Sequence, residues 1–109
     1  MSESDLTHQV DLAVRAHVRP GPRFPEAVWA GRDIRLQLWA EQAADVARVL
    51  GLGVGLPLGM ELAGIGVRTS MATEVDGVST LQMPEQYARR LAAMLDEAMH
   101  NRPHQSSTD

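Results

Sequence analysis

Four histidines, His8, His17, His100 and His104, are the side chains best suited to acid–base or metal chemistry in this sequence. His100 and His104 stand four apart, the spacing at which one helix face could share a metal ion. Pro103 falls between them and breaks the helix that would align them. His8 and His17 share the first segment with Asp11, the beginning of an acid–base pair, but no nucleophile accompanies them. Ser70 and Ser79 lie in alternating stretches with no Gly-x-Ser-x-Gly elbow around either. Cysteine is absent, which excludes disulfides, thiolate zinc sites and a cysteine nucleophile. Residues 52–59 are rich in glycine, yet no Lys-Ser/Thr follows them. They also come after a helical segment rather than a strand, the reverse of the dinucleotide-binding order. The expectation is therefore no catalytic residue, no metal site and no cofactor. If a small ligand binds, Arg68 and His17 are the side chains placed to contact it.

Fourteen acidic residues against ten basic ones give a net charge of −4, which argues against a dedicated duplex-DNA binder. All ten basic residues are arginines. Bidentate anion recognition would select arginine over lysine, but so would a GC-rich genome, and the scatter from Arg15 to Arg102 favours the second explanation. An apolar fraction of 44% in 109 residues is that of one ordinary globular domain. The acidic, polar start is the opposite of a signal peptide, and no apolar run reaches ~18 residues, so a cytoplasmic protein is expected.

The elements that must position these residues follow from periodicity. Residues 1–7 read as a flexible N-terminus. Over 9–19, Val10, Leu12, Val14, Ala16 and Val18 alternate with polar residues, which predicts a strand. Leu6, Val10, Ala13 and Val14 fit a helical stripe as the competing reading. After Pro20-Gly21-Pro22, strands over 26–30 and 33–39 meet across Gly31-Arg32, pairing Trp29 with Ile34 and Ala27 with Leu36. A helix over 40–50 closes on Gly51. From Ile65 to Val75 the alternation predicts a strand, with a bulge near Gly64 where the phase flips. Asp76-Gly77 predicts a type I′ turn pairing Val75 with Val78 and Thr73 with Thr80. Pro84-Glu85 opens a last helix, and 102–109 read as a disordered tail.

The last strand and helix carry Pro84-Glu85-Gln86-Tyr87-Ala88-Arg89-Arg90-Leu91-Ala92-Ala93-Met94-Leu95. This run resembles a C-terminal strand-PEQxARRLAAxL helix found in small uncharacterised actinobacterial and actinophage proteins. The resemblance implies a GC-rich source and no particular activity. Glu41-Gln42-x-Ala44 echoes Glu85-Gln86-x-Ala88, each following a hairpin, so the chain reads as two strand-strand-helix units.

The predicted fold is α+β, an antiparallel sheet with two helices on one side in the order β-β-β-α-β-β-α, forming one domain over 8–101. Two helices cannot cover both faces of such a sheet, yet the last hairpin is apolar on both. A homodimer is therefore expected, with Val54, Leu56, Leu58, Ile65, Val67, Met71, Leu81 and Met83 as candidate interface residues. The functional expectation is a small acidic homodimeric interaction or regulatory protein without catalytic activity, its partner itself or another protein. The alternative is a small-molecule-binding protein or minor enzyme with its pocket at the dimer seam.

Overall fold

The structure, a computed structural model, describes residues 3–53 and 55–100. Its elements run α1 (Glu3–Arg15), β1 (Glu26–Ala30), β2 (Asp33–Trp39), α2 (Ala40–Val49), α3 (Leu58–Ala63), β3 (Met71–Val75), β4 (Val78–Pro84) and α4 (Glu85–His100). The four strands form one antiparallel sheet in the order β1-β2-β4-β3. The fold is thus α+β.

Both hairpins form as their turn residues dictate. Gly31 takes φ +68° and brings Trp29 opposite Ile34 and Ala27 opposite Leu36. Asp76 and Gly77 both take positive φ, 53° and 79°, as a type I′ turn requires, and Val75 pairs with Val78 and Thr73 with Thr80. Each hairpin runs straight into a helix, α2 beginning after Trp39 and α4 after Pro84. The two units meet through β2 and β4, which pair antiparallel with Leu36 opposite Leu81.

On β2 and β4 the buried residues alternate strictly: Ile34, Leu36 and Leu38, then Ser79, Leu81 and Met83. They share one face, and the core that forms on it takes residues from all four helices. The other face carries Arg35, Gln37, Thr80 and Gln82, none of them buried, and the described helices pack on the opposite face.

Three expectations from the sequence are corrected. The strand expected over 9–19 is absent: residues 9–15 belong to α1 and 16–18 form the turn and bend that follow it. Leu6, Val10, Ala13 and Val14 are buried while Leu12 and Ala16 are exposed, so period 3.6 prevails over period two. The decisive partner is α4, against which α1 packs together with β1. Because the helix starts at Glu3 and buries Leu6, residues 3–7 belong to the fold rather than to a flexible N-terminus. Second, the strand over 65–75 is regular only from Met71. A short helix, α3, occupies 58–63, and Gly66 at φ +88° redirects the chain, so the phase flip marks a helix end and not a bulge. Third, the sheet has four strands, and four helices lie against it. The expected disordered tail over 102–109 lies outside the described residues.

Candidate functional site

Three surfaces could carry function. The first is a strap over residues 19–25 that folds across the junction of β2 and α2. Its organiser is Gln42, 1% exposed at the start of α2. The Gln42 Oε1 accepts from the Trp39 N–H at 3.0 Å, closing the first turn of the helix as a glutamine at this position does. The Gln42 Nε2 donates to the Arg19 carbonyl at 3.0 Å and the Phe24 carbonyl at 2.9 Å, fixing both ends of the strap. The Trp39 indole N–H donates to the Pro22 carbonyl at 2.8 Å, and its ring meets Phe24 edge-on at 5.1 Å. The Arg23 guanidinium lies 5.4 Å over the Phe24 ring. At the first residue of the strap, Arg19 donates through its Nε and Nη2 to both oxygens of Asp45, and Arg48 pairs with the same carboxylate. These bonds, those from Arg19 foremost, hold the Asp45 carboxyl well below the usual carboxylate range. An open recess of about 400 Å³ lies here, lined by Arg19, Gly21, Trp39 and Glu41 among others. Gln42, Trp39 and Arg19 spend these hydrogen bonds on the protein itself, which latches the strap to the junction of β2 and α2.

The second surface is a groove of about 400 Å³ between α1 and α4, floored by Ala13, Ala16, Ala92 and Ala93 with Leu12 and Met99 at its rims. Just past the end of α1, His17 donates its Nε2–H to the Leu95 carbonyl of α4 at 2.8 Å. That bond gives His17 a structural role. Arg68 stands exposed in the segment before β3, and no contact joins it to His17. The two candidate ligand residues therefore do not form a site together. No group of three or more potential metal ligands occurs among the described residues.

The third surface is the far edge of the sheet. All five residues of β3 are exposed, whereas most of β1 is half-buried beneath α1. Of the candidate interface residues, Leu58, Val67, Leu81 and Met83 are buried in the chain's own core, which removes them from any interface in this fold. Ile65 is half-buried against that core. Val54 lies outside the described residues. Leu56 at 54% and Met71 at 38% do face solvent, and Val75 at 62% joins them. Leu56 and Glu74 line one small recess at this rim, and Met71 and Val75 lie on the open face of the strand beside it.

Gln42 is the residue that sequence reasoning missed. The available signal was the glutamine three residues into a helix, at the position that reaches back to the preceding backbone. Comparison of the chain with protein-family models, with curated proteins and with solved structures finds no match.

Proposed function

We propose that the protein is a small acidic interaction or regulatory protein without catalytic activity, that it works in the cytoplasm as a homodimer, and that the β3 edge is its contact surface. The observation that supports this reading is the state of β3. Edge strands of monomeric proteins are kept from pairing by lysine, proline, bulges or a covering element. β3 reads Met-Ala-Thr-Glu-Val, with one charge and neither lysine nor proline; α3 touches its inner face at Ala72, yet all five residues stay exposed. The described helices all lie on the opposite face of the sheet from Met71, Thr73 and Val75. The side chains that converge elsewhere are engaged with one another, which favours an interaction protein over a ligand-binding one.

Light scattering on purified protein across about a tenfold dilution tests the reading. The expected mass approaches that of two chains at the high end and falls toward one on dilution, as befits a small interface. Leu56→Glu weakens association, because it sets a second carboxylate beside Glu74 at the rim. The mass of one chain at every concentration, with a cooperative melt, contradicts it.

A further inference from the structure

The hairpin geometry specifies how a second copy of this chain meets β3. Across a two-residue turn the flanking residues exchange both backbone hydrogen bonds, and every second pair along the ladder does the same. Val75 with Val78 and Thr73 with Thr80 are those pairs. The N–H and C=O groups of Ala72 and Glu74 therefore point away from β4, toward an edge with which no strand pairs among the described residues.

An antiparallel second β3 can satisfy those groups in three registers. Setting Glu74 opposite Glu74 of the other copy brings two carboxylates face to face, which disfavours the pairing. Setting Ala72 opposite Ala72 requires Glu74 to pair with Ser70 of the other copy. Ser70 cannot answer, because its N–H is already donated to the Gln82 carbonyl at 2.7 Å within its own hairpin. The third register sets Ala72 of each copy opposite Glu74 of the other. It uses every free backbone group of Ala72 and Glu74, separates the two carboxylates, and lays Met71 against Val75 of the other copy on the open face. Thr73 then meets its own counterpart on the two-fold axis.

We infer that two copies join through this third register, so that their sheets become one continuous antiparallel sheet with the helices of both on the same side of the pleat. This deepens the homodimer reading and rests on it. The partner is a second copy because the strand is complementary to itself: its apolar residues, Met71 and Val75, lie symmetrically about Thr73, and its single charge meets a small neutral residue.

The chain has no cysteine, so single substitutions report the register without background. In the inferred pairing the two Thr73 residues form a non-hydrogen-bonded pair with Cα atoms about 4.5 Å apart, inside disulfide range. The two Val75 residues are about 14 Å apart, outside it. Thr73→Cys should therefore cross-link under mild oxidation at least about tenfold faster than Val75→Cys or Met71→Cys alone. A mixture of the Met71→Cys and Val75→Cys proteins should cross-link to the mixed dimer. Ala72→Pro provides the second arm, since it removes only an outward N–H and proline is tolerated at such edge positions. It should return the protein to the mass of one chain while its melting temperature stays within a few degrees. A dimer that persists in Ala72→Pro, or that cross-links no faster at Thr73 than at Val75, overturns the register and leaves self-association by another surface. One chain's mass for the unsubstituted protein at all concentrations overturns both.

Discussion

Replacing Gln42 with leucine removes three hydrogen bonds at once while keeping a side chain of similar size in a fully buried place. It leaves the Trp39 N–H and the Arg19 and Phe24 carbonyls without this partner. At about 1 kcal/mol net for each bond, the loss comes to about 3 kcal/mol, part of which water reaching the half-exposed strap recovers. For a domain of this length that corresponds to a fall of roughly 10 °C in melting temperature. Urea unfolding followed by tryptophan fluorescence is the assay, since Trp39 reports the strap directly. Gln42→Glu sharpens the test. Its carboxylate can still accept from Trp39 but faces two carbonyl oxygens, so burial and repulsion raise its folded-state pKa above the unfolded value of about 4.3. The sign follows: the charge-related loss is absent below about pH 4 and grows as the pH rises past it. A leucine variant within about 0.5 kcal/mol of the parent would refute the view that Gln42 holds the strap. So would a glutamate variant with no pH-dependent loss.

Asp45→Asn should cost on the order of 1 kcal/mol above about pH 5, because the carboxylate held ionised by Arg19 and Arg48 stabilises the fold there. As the folded pKa is depressed, the gap to the parent should narrow as the pH falls below about 4, read by thermal melts across pH. Gly77→Val should lower the melting temperature by several degrees, since φ is +79° there and no neighbouring atom lies within 4 Å to add a clash. The cost is backbone strain alone, ~1 kcal/mol or more, and an unchanged midpoint would contradict it. Gly59→Ala should cost about 1–3 kcal/mol by overpacking, because a Cβ there comes within 2.6 Å of the Ala72 Cβ; a neutral melt would show that α3 can lift off the sheet.

The hairpins and the helices that follow them were legible because their signals are local. Gly31, Asp76 and Gly77 set the turn types, and the alternation through β2 and β4 then has one register that buries Ile34, Leu36, Leu81 and Met83 together. The first segment was not legible, because its alternation and its helical stripe share Val10 and Val14. Only packing against α4 decides between them. α3 was hidden by its glycine: Gly59 weakens any helical pattern, yet it lets the helix approach Ala72. The candidate interface was half legible. Alternation marks Met71 and Met83 alike as apolar, but Met83 falls on a central strand under the helices and Met71 on an uncovered edge. Strand order, which no local pattern encodes, separates them.

The most direct measurement of the central claim is amide hydrogen exchange at Ala72 and Glu74, followed across dilution from roughly millimolar to micromolar protein. In a single chain these two N–H groups face solvent and exchange fast. Paired with a second copy they are bonded and protected, while Thr73 and Val75 are protected by β4 at every concentration. Protection of Ala72 and Glu74 that fades on dilution in step with the measured mass is the predicted result. Fast exchange at both positions in a sample whose mass is that of two chains would contradict it.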